Sequence, residues 1–187
     1  VNLVHDIDLM RHLCGEIVTV QAQAAPSARG FENEDVAAAL LTFENGAIGT
    51  IAVSDSIVSP WSWELTSHEY PAYPVTTQSA YQIGGSHGSL SIPDLTLWSH
   101  GEQRDWWSPI SATSVTREAS DPLVNQMAHF GAVIREQDTP LVSGREGLRS
   151  LAVVDAIQRA AATGGTISLS PKFLGGVAAQ NQTRKPT

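Results

Sequence analysis

Val36-Ala-Ala-Ala-Leu-Leu-Thr-Phe-Glu-Asn-Gly-Ala-Ile-Gly-Thr-Ile-Ala-Val53 is the stretch that decides the fold class. Two apolar runs, residues 36–43 and 47–53, are joined through Glu44-Asn45-Gly46. Asn-Gly between such runs is the strongest short-range hairpin signal, because both residues tolerate the positive φ of a tight turn. An antiparallel pair is expected here. Residues 36–41 are apolar at consecutive positions, so both faces of the pair carry apolar side chains. The second face then calls for a partner.

Working outward, residues 16–24 alternate in part through Ile17, Val18, Val20, Ala22 and Ala24 and read as a strand. Residues 26–34 are polar and form a loop. On the other side, residues 54–77 break the pattern with prolines and with Trp61, Trp63, Tyr70 and Tyr73, and no element is expected there. Two readings stand for this segment. It is a loop holding itself down by aromatic burial, or it is a wall of a substrate site. In the second case rings stack on C–H faces of the ligand and the hydroxyls of Tyr70 and Tyr73 bond to its hydroxyls. Short strands are expected at 80–83, 89–92 and 95–98, with edge strands at Trp106-Trp107 and 114–117. His87 and His100 fall in turns and read as solvated.

Two helices follow. Asp121-Pro122 is a cap with proline at the first helical position, ahead of an apolar stripe of Leu123, Met127, Phe130, Val133 and Ile134. His129 within it reads as structural. Ser143-Gly-Arg-Glu146 has capping-box spacing and opens a helix through Leu148, Leu151, Val154, Ile157 and Ala161, stopped by Gly164-Gly165. Residues 166–169 return as a strand, and 171–187 read as a flexible tail. This order describes an α+β domain over residues 1–170. Its open sheet is mainly antiparallel, with helices packed on one face and the other face available for oligomerisation.

The remaining element is the first. Asn2-Leu-Val-His-Asp-Ile-Asp-Leu-Met-Arg-His-Leu-Cys-Gly15 reads as a short helix, with Asn2 as N-cap and Gly15 at the stop. At about 100° per residue, Leu3, Ile7, Met10 and Cys14 share one side. His5, Asp8 and His12 share the other. His5 is either a surface histidine or, beside the positive end of the helix dipole, a neutral ring suited to exchanging a proton with a substrate hydroxyl. A third reading makes His5, Asp8 and His12 metal ligands, but the thiols and supporting partners of a familiar metal motif are missing. Cys14, the single cysteine, lies on the apolar side and reads as a buried thiol.

His5-Asp-Ile-Asp-Leu-Met-Arg-His-Leu-Cys-Gly-Glu16, followed by a strand, resembles the start of the C-terminal domain in the glucose–fructose oxidoreductase / inositol dehydrogenase / MocA family. The resemblance continues through Phe43-Glu-Asn-Gly-Ala-Ile-Gly-Thr50, Gly84-Gly-Ser-His-Gly-Ser-Leu90, Asp121-Pro-Leu123 and Ser143-Gly-Arg-Glu-Gly-Leu148. It implies that His5 belongs to a catalytic group, with a lysine from an N-terminal domain and an aspartate four residues before the histidine. It also implies that Asp8 lies near a bound sugar or polyol, and that copies associate through the open sheet face. One position departs from the pattern: Val1 stands where the aspartate is expected, with Asn2 beside it. Either Asn2 helps to hold substrate, or this branch works without the third group, or it has lost activity.

Composition bounds the rest. The chain has 187 residues, 42% hydrophobic and 16% charged, enough for a core of ordinary size. Its net charge of −8 argues against nucleic acid or an anionic membrane surface as partner. It contains no apolar run of the roughly 18 residues that a membrane span needs, and a cytoplasmic location is expected. Val1 already lies inside a motif, so a fragment of a longer protein is expected. No glycine-rich strand-to-helix fingerprint occurs, and Gly84-Gly-Ser-His-Gly88 lacks its spacing. NAD or NADP is accordingly expected to be bound by an N-terminal domain, and this chain alone to be inactive. Taken together, the expectation is the substrate-binding domain of a nicotinamide-dependent sugar or polyol dehydrogenase. The alternative is a non-catalytic sugar-binding or assembly module on the same fold.

Overall fold

A computed structural model describes residues 3–116 and 120–169. Its elements in chain order are α1 (Leu3–Cys14), β1 (Ile17–Ala25), β2 (Val36–Phe43), β3 (Ile48–Ser54), α2 (Trp63–Thr66), β4 (Tyr81–Gly84), β5 (Gly88–Ile92), β6 (Thr96–His100), β7 (Ile110–Ser114), α3 (Pro122–Ile134), α4 (Gly144–Thr163) and β8 (Ile167–Ser168). The strands are antiparallel and form two four-stranded sheets, β3-β2-β1-β8 and β4-β5-β6-β7. The α+β class is as expected; the division into two sheets was not. The chain forms two compact units, one reaching Ile57 and resuming at Leu141, the other spanning Val58–Pro140. No helix among the described residues is long and apolar enough to cross a membrane.

In the first unit the hairpin is as anticipated. Val36 pairs with Ser54 and Thr42 with Ile48. Gly46 turns the chain at φ 87°, and Asn45 accepts from the Ala47 N–H at 3.0 Å while donating to the Cys14 carbonyl at 2.9 Å. The consecutive apolar residues of β2 divide by parity. Ala37, Ala39, Leu41 and Phe43 are buried, while Ala38 and Leu40 are exposed on the open face. On the buried face α1 and α4 close a core with Leu3, Ile7, Ile17, Val20, Leu41, Phe43, Val153, Ile157 and Ala160, and Met10 and Cys14 pack against it. Fully buried side chains such as Ile7, Ile17 and Leu41 each contribute about 1.5–3 kcal/mol. Burial raises the Cys14 thiol above its ordinary value, in keeping with a structural role.

α4 corrects one expectation. Ser143 caps it and Gly164, at φ 68°, ends it, but Leu148 and Leu151 are exposed. The buried stripe is instead Arg149, Ser150, Val153, Ala156, Ile157 and Ala160. Two polar side chains begin the inward face because they meet polar partners: Ser150 meets Asp8 and Arg11 of α1, and Arg149 meets Glu16 and Glu146.

The second unit is built on the β4–β7 meander. Gly88 is required there, since a Cβ would lie 2.6 Å from the Trp98 carbonyl oxygen. Asp94 holds the β5–β6 turn by accepting from Ser79, Ser91 and Thr96 at 2.6, 2.8 and 2.6 Å. Four expectations are corrected here. Residues 54–77 do contain an element, α2, because the Ser62 side chain caps it by accepting from the Leu65 N–H. Trp106 and Trp107 form a turn rather than a strand: Asp105 Oδ1 accepts from the N–H groups of Trp107 and Ser108 at 2.8 and 2.7 Å, leaving both indoles exposed. The last strand is β7, earlier than residues 114–117, of which 117 lies outside the described residues. His100 is half-buried, and its Nδ1 is shielded from solvent with no partner among the described residues. α3 begins as expected, with Asp121 Oδ1 accepting from Leu123 and Val124, and its apolar stripe is largely exposed. The proposed tail, residues 171–187, lies outside the described residues.

Candidate functional site

α1 carries the candidate group. Its burial follows an i, i+4, i+8 line through Leu3, Ile7 and Arg11, so an arginine occupies the end of the apolar stripe. A guanidinium there must find carboxylates, and the fold supplies them. Arg11 Nε and Nη2 donate to the two Glu16 oxygens at 3.0 and 2.8 Å, and Nη2 also donates to Glu146 Oε2 at 2.7 Å. Nη1 donates to Ser150 Oγ at 2.8 Å and to the Glu146 carbonyl at 3.1 Å, and reaches Asp8 Oδ1 at 3.5 Å. Arg149 completes the cluster by donating to Glu146 Oε1 at 2.9 Å. Burial alone would lower the Arg11 pKa, but hydrogen bonds to Glu16 and Glu146 outweigh it and the value is raised.

Asp8 belongs to this cluster on one side. Its Oδ1 accepts from Ser150 Oγ at 2.8 Å, and its side chain remains 33% exposed. His5 and His12 are exposed, and no polar partner holds the His5 ring among the described residues. α1 thus presents an exposed imidazole and, three residues on, a carboxylate fixed through one oxygen. An imidazole can exchange a proton and a carboxylate oxygen can accept from a hydroxyl, so the pair suits a polyhydroxylated ligand. No three His, Cys, Asp or Glu side chains come together to hold a metal among the described residues. Asn2, the other residue singled out on this helix, lies outside the described residues, as does Val1.

Tyr70 and Tyr73 belong to the second unit. They pack edge to face, 5.8 Å between centroids, with both rings about half exposed. Trp63 anchors the loop by stacking edge-on against Tyr81 and donating Nε1–H to Glu69 at 2.8 Å. A hollow of about 270 Å³ in this unit is lined by Thr66, His68, Thr76, Gln78, Asp94 and Val115, among others, but by neither tyrosine. Sequence reasoning passed over Arg11, Glu16, Glu146 and Ser150. The available signal was Arg11 itself, a charge at the helical spacing of the buried residues.

Residues 1–169 match the family model described as the oxidoreductase family, C-terminal alpha/beta domain, and this chain belongs to that family. It is 30% identical over 173 residues to a D-apiose dehydrogenase from Paraburkholderia graminis, covering 89% of this chain and 43% of the relative. Among solved structures it resembles the WlbA dehydrogenase from Bordetella pertussis in complex with NADH and UDP-GlcNAcA. That match has 25% identity and a TM-score of 0.57, over 90% of this chain and 44% of the other. The fold is also that of a putative NADPH-dependent oxidoreductase from Desulfitobacterium hafniense, at 20% identity and TM-score 0.65, over 88% of this chain and 46% of the other. The chain spans less than half the length of the curated relatives it matches.

Proposed function

We propose that this chain is the substrate-binding domain of a nicotinamide-dependent sugar or polyol dehydrogenase, in which His5 handles the hydroxyl proton. The observation that carries the reading is the α1 pair, an exposed His5 with no polar partner among the described residues and the anchored Asp8 one turn on. Family membership and the likeness to D-apiose dehydrogenase support it. In the oxidative direction His5 takes the proton from a substrate hydroxyl as hydride leaves the carbinol carbon, and a carbonyl results. NAD or NADP supplies the hydride acceptor when bound. The residues described here do not fit a dinucleotide: Gly84 to Gly88 close a β4–β5 turn through a Gly85 N–H bond to the Gly88 carbonyl at 2.8 Å, with no helix behind it. On this reading the cofactor is bound mainly by an N-terminal domain. Asp8, Asn2, Tyr70 and Tyr73 are the proposed substrate contacts. Copies associate through the open face of the first sheet, where Gln21, Gln23, Leu40, Thr50 and Ala52 are exposed. A cytoplasmic setting, with its nicotinamide pool, goes with this reading.

The test is His5→Ala in the full-length enzyme, assayed by nicotinamide absorbance against a panel of aldoses and polyols. A proton-transfer group contributes about 10²–10⁴-fold, so kcat should fall by that factor while thermal stability stays near wild type. Near-normal turnover would remove His5 from the chemistry. Val1, in place of the expected aspartate, favours the second reading of a non-catalytic sugar-binding module. Sugar binding by full-length protein that oxidises none of the panel would support that module instead.

A further inference from the structure

We infer that Ser150 is a positioning residue, which with Arg11 fixes the Asp8 carboxylate for substrate; this rests on the reading of Asp8 as a substrate contact. Ser150 lies on α4 and is 1% exposed. Its hydroxyl sits between two side chains of α1, 2.8 Å from Arg11 Nη1 and 2.8 Å from Asp8 Oδ1. A guanidinium can only donate, so Ser150 Oγ must accept from Arg11 and spend its single proton on Asp8. The relay therefore has one direction, and Asp8 Oδ1 is its acceptor. Among the described residues no group engages Oδ2, and a third of the Asp8 side chain remains open to solvent. One oxygen is tied down and the other is left for a ligand.

Charge points the same way. Two guanidinium groups, Arg11 and Arg149, face three carboxylates, Glu16, Glu146 and Asp8. The glutamates take the short contacts, 2.7–2.9 Å, while Asp8 lies 3.5 Å from Arg11. Among the described residues Asp8 is thus the least closely ion-paired carboxylate of the cluster, suited to accepting from a neutral hydroxyl. Nor is Ser150 needed simply to join the helices, since Arg11 already bridges α1 to Glu146 of α4. What the serine adds is a direct hold on Asp8. A carboxylate held in one rotamer binds without the entropy cost of ordering it at each encounter.

The experiment uses full-length enzyme and its best sugar substrate, comparing Ser150→Ala, Ser150→Thr, Asp8→Asn and the double variant Asp8→Asn/Ser150→Ala. Loss of a hydrogen bond to a charged group predicts a fall of about 10–100-fold in kcat/KM for Ser150→Ala, carried mainly by KM, with Ser150→Thr recovering most of it. In the Asp8→Asn background, adding Ser150→Ala should change kcat/KM by less than about twofold, because there is nothing left to position. An equal loss in both backgrounds, or a drop in melting temperature with KM unmoved, would overturn the inference and leave Ser150 a purely structural tie. An impaired Asp8→Asn beside a kinetically silent Ser150→Ala would sink the inference while the reading of Asp8 survives. Asp8→Asn with unchanged kcat/KM would sink both.

Discussion

Replacing Arg11 by alanine should be among the most costly single changes in the first unit. The guanidinium side chain is 4% exposed and donates to Glu16, Glu146, Ser150 and the Glu146 carbonyl. Removing one member of a buried, hydrogen-bonded charge cluster costs about 3–5 kcal/mol, chiefly because the partners are left buried without compensation. The partners here are not fully enclosed: the side chains of Glu16 and Glu146 are 23% and 33% exposed, and Arg149 still reaches both. Water and Arg149 relieve part of the penalty, which argues for about 2–3 kcal/mol. For a chain of this length that is a fall of about 5–10 °C in melting temperature. Urea unfolding followed by far-UV circular dichroism reads it well, since α1 and α4 both belong to the affected unit. All five tryptophans lie between residues 58 and 140, so their fluorescence follows the other unit separately. The cluster also predicts coupling: Glu16→Gln should cost much less in the Arg11→Ala background than alone. A change below about 0.5 kcal/mol for Arg11→Ala, or strict additivity with Glu16→Gln, would refute the account of a mutually dependent buried cluster.

Two further outcomes follow from particular side chains. Burial alone would raise the Asp94 carboxyl, but hydrogen bonds from Ser79, Thr96 and Ser91 hold it below its ordinary value. A depressed folded-state value means stability that is present above the unfolded value of about 4 and lost as pH falls through the folded one. Asp94→Asn should thus destabilise at neutral pH, by under about 1 kcal/mol because the site is exposed. The gap to wild type should close in acid, as equilibrium unfolding between pH 2 and 7 would record; a gap widening in acid would contradict the sign. Leu40→Glu places a charge on the open sheet face. If copies meet there, sedimentation of the full-length protein should find self-association weakened by about 2 kcal/mol or more, roughly thirtyfold in Kd. An unchanged oligomer would move the interface elsewhere.

The local grammar of this chain was legible without coordinates wherever neighbouring residues settle the matter among themselves. Asn45-Gly46 turns the hairpin, Asp121-Pro122 starts α3, Ser143 and Gly164 bound α4, and Leu3, Ile7, Met10 and Cys14 face the core. Each depends on φ/ψ preference, capping or periodicity over a few residues, which sequence encodes directly. His5, as an exposed polar residue on an amphipathic helix, was legible for the same reason. Residues distant in the chain decided the rest. Leu148 and Leu151 looked like core, yet Arg149 and Ser150 took the inward positions, because Arg11, more than 130 residues earlier, needed Glu146 and Ser150 within reach. Helical periodicity puts Asp8 on one stripe with His5 and His12, and Ser150 draws one of its oxygens into the cluster. Trp106 and Trp107 are the exception: their strand composition hid a local turn, held by Asp105 two and three residues before the N–H groups it accepts from. For α4 and for Asp8 the preference of one helix was a small term. Satisfying a buried charge across the fold was the larger one, and only the tertiary structure brings those partners together.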